Sequence, residues 1–382
     1  MIPRDYRQFG MGARIFIRHE VSGWRSIEDR TIRVAVRLLS RVCAQPYVNS
    51  EILAIMLKTV SAILIALCAV AICFGQDKQA RLNTLRAEGY EALYNLDYDG
   101  ARSRFRKMVD LAPDDPVGAE CFASSLWLQQ LNELWKQKAT LYSSDASAGT
   151  NSRGQAEEFR KWTRSAKLLA EARLRKNPGD IEALYFLGAA QGLEAVFAAA
   201  IERKYMAAFR EGTDAVSQHR EVLKLSPDFH DAELTIGLQD YVIGSLPLPA
   251  KMLAATMGVR GSKKRGLQTL ERVSAQGQWA RDIASFLLID LYRREKRWAD
   301  AAQMARQLST KYPRNYLFKL QMADSLAAHV VTLRKAKTAS AAEEKELENI
   351  FASLSRDKSF DSATRELINQ RWNLARQKLA QP

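Results

Sequence analysis

The sequence predicts an all-α array of stacked helix pairs, and two observations carry that expectation. Four prolines, Pro113, Pro178, Pro227 and Pro313, each close an amphipathic run and open the next. Ten residues after each sits a small residue: Ala123, Gly188, Gly237 and Ala323. Proline stops a helix by removing a backbone donor, while a small side chain lets the next helix approach its neighbour closely. The two central copies align without a gap. Pro178 and Pro227 are 49 residues apart, as are Gly188 and Gly237, with Ala183 matching Ala232 and Leu187 matching Ile236. Sparse glycine and proline, 19 and 10 in 382 residues, suit helices joined by short turns.

The front of the chain is organised differently. Residues 1–55 hold nine Arg, five acids and no Lys. Met56-Leu57-Lys58 then opens a nearly uninterrupted apolar run, Thr59–Phe74, before Gly75-Gln76-Asp77-Lys78 turns polar. One basic residue, an apolar stretch and small residues (Cys73, Gly75) ahead of Gln76 have the layout of a secretory signal peptide over 56–75. Two readings follow. In the first, translation starts at Met56 and 1–55 is never made. In the second, 1–55 is a basic cytoplasmic arm and 59–75 an uncleaved membrane anchor, with basic residues kept inside. Both place the folded part outside the cytoplasm, in the periplasm or cell envelope. Beyond this region Cys121 stands alone. A lone cysteine forms no internal disulfide and reads as a small buried apolar residue.

From Leu85 the repeats come in order. Gly89, Tyr98, Ala101, Phe105 and Pro113 supply a small, an aromatic, a small, a bulky and a terminating residue. Asp97-Tyr98-Asp99-Gly100-Ala101 returns as Arg297-Trp298-Ala299-Asp300-Ala301. This pattern resembles the tetratricopeptide repeat (TPR), and the resemblance implies a right-handed superhelix whose first helices line an inner, partner-binding face. The proline spacings are 65, 49 and 86, and the last divides in two if Gly277 breaks the chain before Trp279. First helices then open near Pro116, Asp180, His230, Trp279 and Asn315, with partners near Gly154, Thr213, Gly261 and Trp298. That gives about five to six helix pairs over 76–339. Ile181–Glu211 reads as one long apolar first helix, central in the stack. Ser143–Gly154 has the composition of a flexible loop. In the capping region, 340–382, Glu343-Glu344-Lys345-Glu346 leads into Ile350, Phe351 and Leu354, and a last helix runs from Asp361 to about Leu379. The glycines of Ile236–Arg272 (Gly237, Gly244, Gly258, Gly261, Gly266) and Leu246-Pro247-Leu248-Pro249 resemble the core of the eukaryotic inclusion-body clearance proteins, which are TPR-like. An acidic residue is usual there after the second glycine, where Ser262-Lys263 stand here.

The formal charge of +14 is spread among acids along the helices, a pattern of solvated faces rather than of a nucleic-acid site. His219, His230 and His329 lie far apart without a second ligand at helical spacing, and no phosphate-loop or dinucleotide pattern occurs, so no metal, cofactor or catalysis is expected. Counting along the TPR-like repeats places Glu120, Trp127, Glu182, Tyr185, Asp231, Tyr241, Asp282 and Tyr292 on the inner face. Aromatics with acids suit a protein or peptide partner bearing basic residues. Acids in a first helical turn also favour the helix dipole on their own. The alternative surface is 246–265, where Leu246, Leu248, Met252, Leu253, Met257 and Val259 run into Arg260, Lys263, Lys264 and Arg265. Contact with an anionic membrane surface through Leu246, Leu248, Lys263, Lys264 and Arg265 is one reading. An insert packed into the array, with a solvated basic turn, is the other.

Overall fold

A computed structural model describes residues 58–59, 78–137, 153–338 and 340–380. The arm 1–55, the segment 56–75 apart from Lys58 and Thr59, and the expected loop from Ser143 to residue 152 lie outside the described residues. The chain divides into two units, Met1–Asp77 and Lys78–Pro382. Lys58 and Thr59 of the first are helical. The second contains fourteen helices and no strand among the described residues.

Helix α1 spans 78–94 and α2 Tyr98–Leu111. The next pairs are α3, Pro116–Gln137, with α4, Arg153–Lys176, and α5, Ile181–Phe197, with α6, Tyr205–Leu225. Then come α7, Glu233–Ser245, a short α8, Leu248–Thr256, and α9, Lys263–Gln276. The series closes with α10, Arg281–Arg294; α11, Trp298–Lys311; α12, Tyr316–Lys335; α13, Ala341–Arg356; and α14, Ser362–Ala380. From α2 to α7 each helix packs on the next in sequence; α9 packs on α7, and the series resumes from α9 to α13. Apart from the stretch between α3 and α4, short connections favour that nearest-neighbour order.

The repeated five-residue phrase makes the same turn twice. Leu96 and Lys296 both take left-handed backbone, at φ 67° and 59°. The following amides, of Asp97 and Arg297, donate back to the carbonyls of Ala92 and Tyr292 at 2.9 and 2.8 Å. This satisfies carbonyls at the ends of α1 and α10 and reverses the chain. Asp97 also caps α2 by accepting from the Gly100 amide, and Asp180 caps α5 through the Ala183 amide.

The expected long helix Ile181–Glu211 is not continuous. A π-helical turn, Ala198–Glu202, follows α5, and Arg203 reverses the chain in left-handed backbone at φ 56°. The partner helix α6 therefore begins at Tyr205, not near Thr213. The segment Ile181–Glu202 is apolar and long enough to cross a membrane, yet half of it is buried in the fold. It packs against α3, α4 and α6, the central position expected of it.

Glycine explains the closest crossing. A Cβ on Gly266 of α9 would lie 2.5 Å from the Tyr241 amide nitrogen and 2.6 Å from the Gly237 carbonyl oxygen of α7. Gly244 and Gly261 meet backbone in the same seam, at 2.4 and 2.6 Å. The glycine spacing of 237–266 thus encodes backbone-on-backbone contact between α7 and α9. Gly188 on α5 makes room for the His219 ring in the same way, with 2.5 Å to its Cδ2.

The two ends of the array meet. The Tyr94 ring of α1 stacks on Tyr312 at 5.0 Å, and the Asn315 side chain donates to the Tyr94 carbonyl at 2.7 Å. Arg371 of α14 donates to the Trp135 carbonyl at the end of α3 and to Asp324 of α12. Gly266→Val is expected to destabilise the protein by about 1–3 kcal/mol through overpacking. Urea unfolding should show a lower midpoint with an unchanged slope, whereas Gly154→Ala, at a position with open space around it, should not lower it.

Candidate functional site

The face marked as inner by the repeat count is occupied by the chain itself. Arg86 of α1 is buried, 6% exposed, with its guanidinium 4.2 Å over the Trp279 ring and 5.4 Å over that of Phe186. Glu120 of α3 is buried beside it, and its carboxyl accepts from the Ser124 hydroxyl at 2.7 Å. Burial pushes the Glu120 pKa upward, while the Arg86 charge and that hydroxyl oppose the shift. Burial also pushes the Cys121 thiol up to about 12, so this cysteine is an inert packing residue as expected. A cation, aromatic rings and a carboxylate converge here. The cation comes from α1, not from a partner.

Three of the four counted aromatics are packing residues, which corrects their expected place on an open surface. Tyr185 stacks on His219 at 5.2 Å and leans on Phe229 at 5.0 Å. Tyr241 is 1% exposed and donates its hydroxyl to Glu295. Tyr292, 5% exposed, donates to Glu271 and carries Arg297 over its ring at 4.2 Å. Helices that cross this closely leave no free surface at these positions. Trp127 is the exception. Half-buried, it meets Phe197 edge-on at 6.4 Å, and Phe197 also lines a small open recess of about 20 Å³ with Leu126, Gln129, Gln130, Glu133, Gln155 and Phe159.

The acids divide similarly. Asp231 is buried and accepts from the amides of Gln278, Trp279 and Ala280, capping the start of α10 from the neighbouring pair. Its role is a helix-dipole cap, but of a helix distant in sequence. Asp282, half-buried, holds Lys311 and the Tyr312 hydroxyl. Glu182 is exposed and pairs with Arg173 at 3.2 Å. The counted residues are therefore distributed through the fold, and Arg86 and Trp279, which do converge, went uncounted. No motif marked Arg86, since a long basic side chain on a helix usually points to water.

His219 is part of the core. Its Nε2–H donates to the Tyr185 carbonyl at 2.9 Å, and Nδ1 accepts from the Thr235 hydroxyl at 2.6 Å. Burial depresses its pKa to about 4, outweighing the hydrogen bond to the carbonyl. Among the described residues, no group of three His, Cys, Asp or Glu side chains is arranged to hold a metal ion.

The basic segment is only partly free. Lys263 donates to Glu295 at 2.8 Å, and Arg265 makes a two-pronged contact with Asp240. Lys264 is exposed, Leu248 is 70% exposed and Leu246 is half-buried. No protein-family model matches this chain, and no curated protein does either.

Tyr292→Ala is expected to cost about 3–5 kcal/mol of stability, as for a truncated core aromatic. A melting curve superimposable on the wild type would return Tyr292 to the surface. For His219 the unfolded chain takes up a proton near pH 6.5 that the folded chain refuses until about pH 4. Stability present above pH ~6.5 should therefore fall as pH drops toward 4, by on the order of 3 kcal/mol. In His219→Gln this component of the pH slope should vanish, whatever the variant's stability at pH 7.

Proposed function

We propose that this protein is a non-catalytic, TPR-like scaffold, right-handed in its superhelix and exported by 56–75, that binds a protein or peptide in the cell envelope. The repeated Schellman-type turns at Leu96 and Lys296 support the TPR-like reading. The internal use of His219 and the wide separation of the remaining histidines support the non-catalytic one.

Because α1 fills the inner face at Arg86, partner contact falls to its unfilled part. The observation that carries this reading is the recess beside Trp127. Its lining combines buried apolar residues (Leu126, Phe159, Phe197) with Gln129, Gln130, Glu133 and the exposed Gln155. Apolar side chains beside amides and one carboxylate suit a peptide segment laid across the surface at this point. A photo-crosslinking side chain at Gln155, the exposed residue of the lining, should yield a discrete protein adduct in the native cell. Trp127→Ala should weaken capture by roughly 30-fold, as for a removed anchor aromatic. An adduct indifferent to Trp127→Ala, or no adduct, would overturn the reading.

A further inference from the structure

Helix α8 is built inside out. Ala254 is its one buried residue. On a helical projection Leu248, Pro249, Met252, Leu253, Thr256 and Met257 fall within one half of the circumference. That half faces solvent, with Leu248 at 70%, Met252 at 62%, Leu253 at 58% and Met257 at 45% exposure. Side chains this exposed form a ridge, because the walls of a groove would shield them. Val242, preceding it on α7, adds 40% exposure.

The charge around this ridge has one sign. No acidic residue occurs between Asp240 and Glu271, while Lys251, Arg260, Lys263, Lys264 and Arg265 do. Lys263 and Arg265 are consumed by Glu295 and Asp240. Arg260 and Lys264 are exposed and Lys251 half-buried, and none of the three appears in an ion pair within the described residues. An apolar ridge with cations that no acid neutralises is complementary to a surface combining hydrocarbon with negative charge.

We propose that α8 is a membrane-surface dock. Leu248, Met252, Leu253 and Met257 enter the interfacial layer of an anionic bilayer, while Lys251, Arg260 and Lys264 meet the lipid phosphates. A short helix lying in the interface plane binds through its apolar area together with attraction to anionic headgroups. This differs from the assignment reached from sequence, in which Lys263 and Arg265 were contacts. It is also independent of the peptide-binding reading, which concerns the recess at Trp127.

The test is local, so that membrane association through 56–75 does not obscure it. Hydrogen exchange of the full chain is followed over 246–262 with vesicles of phosphatidylcholine alone and with equal parts phosphatidylglycerol. Protection of 246–262 is expected with the anionic vesicles only. The triple variant Lys251→Ser, Arg260→Ser, Lys264→Ser should need on the order of 100-fold more anionic lipid for the same protection. Unchanged exchange over 181–197 shows that this variant keeps its fold. No protection, equal protection by neutral vesicles, or protection that grows with protein concentration without lipid would each overturn the proposal, the last by assigning the ridge to a second copy of the chain.

Discussion

The seat of α1 in the folded unit depends on a buried cation, Arg86. Arg86 remains charged at any ordinary pH, and stripping water from it costs several kcal/mol unless the site compensates. Its guanidinium lies over the rings of Phe186 on α5 and Trp279 before α10 and feels the Glu120 charge on α3, while its Nε has no hydrogen-bond partner among the described residues. A desolvated cation over an aromatic face contributes about 2 kcal/mol. Burial pushes the Glu120 carboxyl up and the Arg86 charge opposes that push, so the two groups are coupled across the α1–α3 contact. Tyr94 against Tyr312 and Asn315 against the Tyr94 carbonyl fasten the same helix at its other end. The first helix is thus held by residues some 190 to 220 positions away, and the array closes.

Closure redirects the chemistry of the inner face. Residues that would grip a partner in an open array here grip the array itself. Asp231 gathers three backbone amides at the mouth of α10, and Tyr241 and Tyr292 bury their rings while giving their hydroxyls to Glu295 and Glu271. What remains for other molecules lies at the edges: the recess beside Trp127 and the outward ridge of α8. The two differ in chemistry. The recess is lined by amides and a carboxylate and the ridge is flanked by cations, so they suit different ligands and need not compete.

Much of the helical order was legible because proline and small residues leave a strong mark. Pro116, Asp180, Asn315 and Trp298 opened helices within a residue or two of where they were expected. The glycines of 237–266 were legible as a motif, and the structure supplies their reason, backbone contact between α7 and α9. The break after Phe197 left no mark. A π-helical turn and a left-handed Arg203 reverse the chain without glycine or proline, so 181–211 read as continuous. The site was the least legible part. Counting along one repeat gives the face of a helix but not what covers it, and the cover is α1, brought there by long-range closure. Lys263 and Arg265 misled for a related reason, since their acids, Glu295 and Asp240, lie outside the basic segment.

Cys121 reports on the seat of α1 without any substitution. It is fully buried on α3, with Arg86 and Tyr90 of α1 against it. The direct measurement is alkylation of Cys121 in the native full-length protein, followed by mass spectrometry of its peptide and compared with the rate of global unfolding. With α1 held in place, Cys121 should react only as fast as the whole unit unfolds. Alkylation well above that rate in a protein whose helix signal stays intact would mean that α1 opens on its own, that the inner face is accessible, and that closure around Arg86 is not what holds the fold together.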